Sequence, residues 1–363
     1  MNKHLLRIEK LRGFLEAAGC DAFLLNHPPS LNYYCGYSGD SAWLFVDHEN
    51  CSFYTDGRYT TQAAAEIPAS IELRPVKTSN DLFSLVGQRF TGTAIGIDEN
   101  HLSSGNWLKL RERLKLEPRP AANWLTRARL HKDREEIELL GRAAAIAEKA
   151  LAATLPHLEP GTREQELAAE LEYQIRKAGG EKTAFPLIVA SGPRSALPHG
   201  VAGERIIAPG DPVTIDFGAV YRGYHSDQTC TFFLGEPTAE QERVYRTLFK
   251  AQETGFTALG GSSPPSPFQL DRIVREVLTE AGLEKAFSHG TGHGIGLEIH
   301  EAPSISPAAG NEPLEAGMVF TIEPGCYFPN RWGIRIEDTI HLTEEGPVKL
   351  TTIDKNLERM IIS

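Results

Sequence analysis

The sequence lacks the features that mark membrane-spanning or secreted proteins. Its 363 residues contain no run that approaches the roughly 20 apolar residues of a membrane span. The opening stretch, Met1–Gly19, intersperses charged residues among leucines, which predicts an amphipathic helix and not a signal peptide. We therefore expect a cytoplasmic protein with no membrane partner.

Cysteines are few, and basic residues are outnumbered by acidic ones. Five cysteines, an odd number with no Cys-x-x-Cys pair, argue against a disulfide framework and against a zinc ribbon. The 37 lysines and arginines face 48 acidic residues, and the net charge of −11 disfavours nucleic acid as a partner, because duplex binding normally needs a basic face. Part of the acidic excess is available to bind cations.

What the sequence does contain divides into two unlike parts, as the chain length predicts. Over residues 1–128, short apolar runs such as Trp43–Asp47 and Ala94–Asp98 alternate with helical patterns, which predicts a small α/β domain. Prolines within Leu116–Trp124 are interpreted as the joint. Residues 129–363 form the second predicted domain, which opens with an amphipathic helix around Ile137 and Leu140.

The second part contains an internal echo. Two capping boxes with a glutamine at the third helical position, beginning at Thr162 and Ser266, each open a predicted helix. A histidine in a Gly- or Pro-rich segment follows each helix, at His199 and His300, and each precedes a hairpin that carries carboxylates. Two similar helix–strand units related by a pseudo-twofold axis would bring both hairpins to one centre.

The first hairpin, Val213–Phe233, is predicted to place two aspartates on one face. If its turn is centred at Tyr221–Tyr224, Asp216 lies opposite about Thr229, and Asp227 becomes a diagonal neighbour within side-chain reach. Aspartate pairs are most often solvated on an exposed strand, but the flanking residues here are apolar and describe a buried sheet. Adjacent buried carboxylates repel unless they share a proton or bind a cation.

The second hairpin, Met318–Leu342, is predicted to carry a corresponding pair. Glu323 ends its first strand, and the loop that follows returns the chain so that Glu323 and Glu337 can lie side by side. Arg335 falls on the same strand face as Glu337, and isoleucines occupy the other face. Two acid pairs on corresponding hairpins indicate a site.

Between the hairpins, the stretch HGTGHGIGLEIHEAP, residues 289–303, supplies histidines on a glycine-rich backbone. The glycines exclude a stable helix and allow the backbone to pass close to another segment, and His293 is the best placed ligand. Its spacing fits neither a phosphate-binding GxGxxG loop nor an HExxH zinc site. Four carboxylates and one histidine match a pair of divalent ions of the Mn, Co, Fe or Zn type. Elsewhere, His225 and His341 are interpreted as a satisfied strand residue and a surface residue.

With these motifs in order, the chain resembles the methionine aminopeptidase/prolidase superfamily, which has the pita-bread fold, and within it the Xaa-Pro peptidase branch. The motifs that carry the resemblance are FPLIVASGPRSALPHG, DFGAVYRGYHSDQT, HGTGHGIGLEIHE, TIEPG and GIRIEDT. GYSGDSAWLF and YTDGRYTTQA in the first part also resemble bacterial aminopeptidase P proteins, so the resemblance covers nearly the whole chain. It implies a creatinase/prolidase-like α/β domain followed by a pita-bread metallopeptidase domain with pseudo-twofold symmetry.

The resemblance also implies roles for individual side chains. Its metal ligands fall on Asp216, Asp227, His293, Glu323 and Glu337, its substrate- and transition-state-contacting histidines on His199, His289 and His300, and the residues that line the proline side of the site on Tyr327 and Arg335. Two divalent ions per subunit are expected, Mn²⁺ first and Co²⁺, Zn²⁺ or Fe²⁺ as alternatives, together with a homodimer. One departure is Cys230, where the family commonly has arginine, and it leaves the metal preference open.

From this constellation we expect Asp227 and Glu337 to bridge the two ions, with a water activated there to attack the carbonyl that precedes proline. Glu323 is the expected proton shuttle. His199 and His300 would stabilise the developing oxyanion, and Arg335 would orient a ligand carboxylate.

Two peptidase functions remain open, and two other functions are disfavoured. The leading hypothesis is an Xaa-Pro aminopeptidase, which the TDGRY segment favours; it would act on peptides with proline in second position. The alternative is an Xaa-Pro dipeptidase, or prolidase, with the same chemistry on dipeptides only. A non-catalytic pita-bread module that binds peptides is disfavoured because the chain keeps all the expected ligands, and a creatinase-like amidinohydrolase is disfavoured on similar grounds.

Overall fold

The computed structural model describes residues 2–89, 94–114, 117–261 and 263–362. The chain divides into two compact units, Met1–Arg129 and Leu130–Ser363. Within the described ranges, no helix is both long enough and apolar enough to cross a membrane.

The first unit is built around one mixed sheet. Its helices are α1 Lys3–Arg12, α2 Pro28–Cys35, α3 Thr60–Glu66, α4 Ser79–Arg89, α5 Ser104–Leu114 and α6 Ala122–Leu130. Its strands are β1 Ala22–Leu25, β2 Ala42–Asp47, β3 Cys51–Asp56, β4 Glu72–Val76, β5 Ala94–Ile97 and β6 Glu117–Pro120. They form a six-stranded sheet in the order β4-β3-β2-β1-β5-β6. The predicted α/β character of this region is confirmed.

The amphipathic pattern at the amino terminus forms α1, as predicted. Ile8 and Leu11 are buried on its inner face, while the Asn2 side chain accepts a hydrogen bond from the first turn. In the sheet, β1 and β5 are parallel neighbours, and β1 pairs antiparallel with β2. Leu24, Phe45 and Ile97 lie in the core that these strands share with helices α4 and α5.

One segment differs from its prediction. The proline-bearing stretch interpreted as a domain joint contains β6, which pairs in parallel with β5 at the edge of the sheet. Pro118 and Pro120 lie on this edge strand, the position in a sheet that tolerates residues without an N–H group. The prediction was wrong because proline was taken as a breaker where it marks an edge; Leu116, which it included, lies outside the described residues.

The second unit contains two helix pairs and several sheets. Its helices are α7 Arg134–Thr154, α8 Glu164–Lys177, α9 Ala239–Ala258 and α10 Pro267–Glu280, with short 3-10 helices at Leu155–His157, Gly192–Ala196, Glu284–Ala286 and Leu357–Arg359. Its strands are β7 Lys182–Thr183, β8 Ile188–Ser191, β9 Pro212–Phe217, β10 Ala219–Tyr221, β11 Tyr224–His225, β12 Gln228–Leu234, β13 Gly292–Gly294, β14 Glu301–Ile305, β15 Val319–Ile322, β16 Gly325–Phe328, β17 Trp332–Arg335, β18 Asp338–Thr343, β19 Gly346–Lys349 and β20 Ile361–Ile362. The two larger sheets have the orders β20-β12-β9-β8 and β14-β13-β15-β18-β19.

The predicted helix starts hold at one cap and fail at the other. Helix α10 begins after Ser266, whose hydroxyl accepts from the backbone of Gln269, while the Gln269 side chain accepts from the backbone of Ser266. The amino terminus of helix α8 is instead capped by Glu166, whose side chain accepts a hydrogen bond from the backbone N–H of Arg163. The cap is one residue later than predicted because the Thr162 hydroxyl bonds to the His157 carbonyl.

The predicted register of the first hairpin is confirmed. Asp216 pairs with Thr229 in the β9–β12 ladder, and Tyr221 pairs with Tyr224 around a two-residue turn. That turn needs positive φ at both central positions, and Arg222 and Gly223 adopt 48° and 81°. In the second hairpin Ile322 pairs with Asp338, so the acidic residues that follow β15 and precede β18 lie at the same end of the ladder.

Candidate metal centre

The residues singled out as metal ligands converge on one cavity of about 410 Å³ in the second unit. Four strand ends and one strand centre deliver them. Asp216 lies near the end of β9, and Asp227 directly precedes β12. Glu323 directly follows β15, and Glu337 directly precedes β18. His293 is the central residue of β13, which pairs with β15.

His293 presents one ring nitrogen to the acidic side chains. Its Nδ1 lies 3.1 Å from the carbonyl oxygen of Gly294, and because a carbonyl only accepts, Nδ1 carries the proton. Nε2 is the ring nitrogen that faces the acidic side chains, 3.5 Å from Asp227 Oδ2 and 3.6 Å from Glu323 Oε1. In the neutral ring with its proton on Nδ1, Nε2 can bind a cation together with these two carboxylates.

The flanking glycines allow this close approach. A Cβ atom at Gly292 would lie 2.0 Å from the carbonyl oxygen of Thr321, and one at Gly294 would lie 2.1 Å from that of Ala302. Any side chain at either position would push β13 away from its neighbours, so glycine is required to bring His293 to the cavity.

The buried carboxylates of the cavity are not compensated by the protein alone. Asp227 and Glu337 are only 4% and 2% exposed, and among the described residues Asp216 Oδ1, Asp227 Oδ1 and Glu337 Oε1 are buried without a hydrogen-bond partner. Burial raises the pKa of Asp227 well above its ordinary range, and the charges of Asp216 and Glu323 raise it further. Burial likewise raises the pKa values of Glu337 and Glu323.

The next residue along the chain shows how this protein treats a buried carboxylate that has only a structural role. Asp338 is as buried as Glu337, at 2% exposed, but it is fully paired. Lys355 Nζ lies 2.5 Å and Lys349 Nζ 3.2 Å from its oxygens, and the Thr351 hydroxyl donates to it at 2.7 Å. Two adjacent carboxylates are thus compensated in opposite ways, which indicates that the charge missing at Glu337 comes from a bound cation.

The donor set fits a divalent metal ion. Ligand atoms of Asp227, His293 and Glu337 all lie within 4.8 Å of one another. Oxygen donors with one imidazole and no thiolate suit Mn²⁺, Co²⁺, Fe²⁺ or Zn²⁺. The orphan oxygens are the atoms that such ions would engage.

Hydrogen bonds between the hairpins hold the ligands in place. The Thr229 hydroxyl donates to Glu337 Oε2 at 2.7 Å, and the Thr339 hydroxyl donates to the Asp227 carbonyl oxygen at 2.7 Å. Each threonine follows a ligand of its own hairpin by two positions and supports a ligand of the other. Neither threonine was predicted to support the site, although each alternates along its strand with Asp227 or Glu337, which was a usable signal.

Arg335 lines the cavity, and protein groups hold its guanidinium on several sides. Its side chain is buried, and Nη2 donates to Asp216 Oδ2 at 2.5 Å while Nη1 donates to the Pro198 carbonyl oxygen and the Tyr327 hydroxyl at 2.8 and 2.9 Å. Nε completes the set with a bond to the Thr229 hydroxyl. The guanidinium therefore neutralises one acidic ligand and anchors the wall of the cavity, and these bonds leave little of it for a ligand carboxylate.

His289 also lines the cavity, and Tyr327 bonds to both His289 and Arg335. His289 Nδ1 donates to the Gly290 carbonyl oxygen at 2.7 Å, so Nε2 accepts from the Tyr327 hydroxyl at 2.9 Å. Burial lowers the pKa of His289 to about 4, which keeps the ring neutral at physiological pH. Arg335 thus donates to Asp216 and to the Tyr327 hydroxyl, which in turn donates to His289.

His199 and His300 lie at the mouth of the cavity, and both are exposed. The ring of His300 meets that of His293 edge-on, with centroids 4.4 Å apart. Burial of part of the ring and the nearby histidines lower its pKa. The structure therefore brings these two imidazoles to the open side, within reach of a molecule that enters the cavity.

Two residues outside the predicted set bear on the site. Lys132 and Glu301 form a buried ion pair of 3.2 Å, which ties the residue after His300 to the start of the second unit. This pair was missed because its members are far apart in sequence.

Cys230 pairs with Ile215 and faces the hydrophobic core. Burial raises its pKa to about 12, so it remains a neutral thiol turned away from the ligands.

Four carboxylates and one imidazole around an open cavity are typical of hydrolases that use divalent metal ions. The model of metallopeptidase family M24 matches residues 138–344, and that of the creatinase/prolidase N-terminal domain matches residues 7–131. The chain therefore belongs to metallopeptidase family M24 and is a peptidase; its second unit has the pita-bread fold.

Relatives of known structure or name align over nearly their full length. The Xaa-Pro dipeptidase of Pyrococcus furiosus is 36% identical over 97% of this chain and 99% of its own. The structure of an Xaa-Pro dipeptidase from Bacillus anthracis superposes with a TM-score of 0.92 at 36% identity, over 99% of this chain and 100% of that one. An X-Pro aminopeptidase from Thermotoga maritima superposes with a TM-score of 0.88 at 34% identity, over 98% and 99% of the two chains.

Proposed function

We propose that this peptidase is an Xaa-Pro dipeptidase that cleaves dipeptides with proline in second position. The observation that carries the proposal is the uncompensated carboxylate cluster of the cavity, set in a chain that aligns from end to end with proteins named Xaa-Pro dipeptidase. The sequence favoured an Xaa-Pro aminopeptidase; the similarities support the dipeptidase better. The aminopeptidase is retained as the second candidate because of the similar Thermotoga maritima structure.

In this proposal two divalent ions, with Mn²⁺ as first candidate, are held by the acidic cluster and His293. Asp227 and Glu337 would be shared between them, because each has one oxygen without a protein partner and neither is paired with a lysine or arginine in the described residues. Such ions supply Lewis-acid chemistry, which polarises a carbonyl and activates water near neutral pH.

The chain's own residues supply proton transfer and substrate orientation. Burial raises the pKa of Glu323, which suits it to proton transfer. It would take a proton from the attacking water and return it to the departing proline nitrogen. His199 and His300 would donate hydrogen bonds to the carbonyl oxygen as negative charge develops on it.

Selectivity for proline follows from the rigid wall. The Xaa-Pro amide has no N–H, so a site that bonds no such group loses nothing when proline enters. His289 lines the cavity, and its hydrogen bond with the Tyr327 hydroxyl holds the ring in a fixed orientation on the proposed proline side. The proposal also includes two domains, residues 1–128 and 129–363. It further includes a homodimer and a cytoplasmic location. These parts rest on composition and family resemblance.

Substrate length decides between the two candidates. Protein stripped with chelator and reloaded with Mn²⁺ is assayed with Leu-Pro, Leu-Pro-Ala and, as control, Leu-Ala. We expect turnover of Leu-Pro alone. Comparable or faster cleavage of Leu-Pro-Ala would overturn the dipeptidase in favour of the aminopeptidase, and no cleavage of either proline peptide would overturn both.

A further inference from the structure

A second group of potential metal ligands lies within the first unit. His27, Asp98 and His101 each place a ligand atom within 4.8 Å of the others. His101 Nδ1 lies 3.0 Å from Asp98 Oδ2, and the rings of His27 and His101 stack with centroids 3.5 Å apart. None of the three lines the catalytic cavity.

The topology of the sheet brings these residues together. Strands β1 and β5 are parallel neighbours, with Leu24 paired to Ile97. His27 follows the end of β1, Asp98 directly follows β5, and His101 lies in the next turn. All three therefore lie at the carboxyl edge of adjacent parallel strands, where α/β sheets commonly bind ligands.

The chemistry of the group matches a borderline divalent cation. Two imidazoles and one carboxylate are a known protein ligand set for Zn²⁺ that leaves a coordination position open. Asp98 is only 6% exposed, so its charge favours a nearby cation. The side chain of His101 is 37% exposed, which gives an ion access from solvent.

We propose that His27, Asp98 and His101 form a second metal site, which binds one divalent transition-metal ion such as Zn²⁺. The two rings now lie nearly parallel, with 12° between their planes. Because an imidazole binds a metal in its ring plane, binding opens the stack, and the exposed His101 ring is the one that tilts. The site is separate from the catalytic activity and does not depend on it.

Zn²⁺ binding tests the site directly. In the full chain, Asp227→Ala combined with Glu337→Ala removes the two central ligands of the catalytic cluster, and circular dichroism checks that the variant is folded. Equilibrium dialysis against Zn²⁺ followed by elemental analysis is expected to find one bound equivalent. Adding His27→Gln or His101→Gln is expected to weaken that binding at least about tenfold, since loss of a ligand costs no less than loss of an outer-sphere partner.

The matched control is His48→Gln, which removes an exposed histidine of the same unit and is expected to leave Zn²⁺ binding unchanged. The proposal is overturned if the double variant binds no Zn²⁺, or if His27→Gln and His101→Gln bind it as tightly as their parent. Because the readout is bound metal, the result is independent of whether the protein cleaves Xaa-Pro peptides.

Discussion

The two hairpins of the catalytic unit contribute equal numbers of acidic ligands and unequal support. The first hairpin supplies Asp216 and Asp227, and the second supplies Glu323 and Glu337. The cation that neutralises one of them, Arg335, belongs to the second hairpin and acts on Asp216 of the first.

This difference shows that neither hairpin makes a complete site. Thr229 of the first hairpin holds the Glu337 carboxylate, whereas Thr339 of the second holds only the backbone of Asp227. The pseudo-symmetry of the two hairpins positions four carboxylates at one centre. The hydrogen-bond donors that cross between the hairpins do not follow this symmetry. Asp216 has an arginine bonded to one of its oxygens, whereas each orphan oxygen of Asp227 and Glu337 belongs to a carboxylate with no lysine or arginine bonded to it in the described residues.

The largest expected effect is a loss of activity that is equal for the two hairpins. Asp227→Ala and Glu337→Ala each remove one central ligand, so each is expected to lower kcat/KM for Leu-Pro at least about a thousandfold, because bound metal supplies several kcal/mol of transition-state stabilisation. Elemental analysis of the Mn²⁺-loaded protein should show the metal lost in parallel. Glu284→Ala, at an exposed acid of the same unit, serves as control. Full activity in either ligand variant would refute the shared assignment.

Sequence patterns predicted the hairpins well and their connections poorly. Strand alternation and turn position placed Asp216 opposite Thr229, because ladder register depends on local spacing. The role of Arg335 could not be read this way, since the residue it neutralises lies on another hairpin and only the folded chain brings them together. Cys230 was expected to affect the metal site because Asp227 is close to it in sequence. Positions three apart along a strand face opposite sides of the sheet, so Cys230 points away from the ligands.

Arg335→Met tests the cation that crosses between the hairpins. It leaves Asp216 buried without its charge partner and Tyr327 without its donor, so metal-free protein is expected to lose about 3–5 kcal/mol of unfolding free energy in urea titrations. Arg331→Met, which breaks an exposed pair with Glu240, should cost less than about 1 kcal/mol. Equal losses in the two variants would show that Arg335 does not compensate Asp216.

The buried ring of His289 is expected to make the stability of the folded protein depend on pH. Its pKa of about 4 in the folded protein lies below the ordinary value near 6.5, so the unfolded chain binds the proton more readily. Stability is therefore fully present above about pH 6.5 and is lost as pH falls toward 4, by about 3 kcal/mol in total. Urea titrations of metal-free protein at several pH values should show a steeper loss of stability toward pH 4 in the wild type than in His289→Asn. Parallel slopes would contradict the buried, neutral assignment.

The smallest effects discriminate best between the hairpins. Thr229→Val removes a donor from the Glu337 carboxylate, so it is expected to weaken Mn²⁺ binding about tenfold to a hundredfold. Thr339→Val removes a donor from the Asp227 carbonyl oxygen, so it is expected to cost about 0.5–1.5 kcal/mol of unfolding free energy and leave Mn²⁺ affinity nearly unchanged. Calorimetric Mn²⁺ titration and urea denaturation of both variants separate the two outcomes. If both weaken Mn²⁺ binding alike, the hairpins support the metal equally and the asymmetry argued from their donors is wrong.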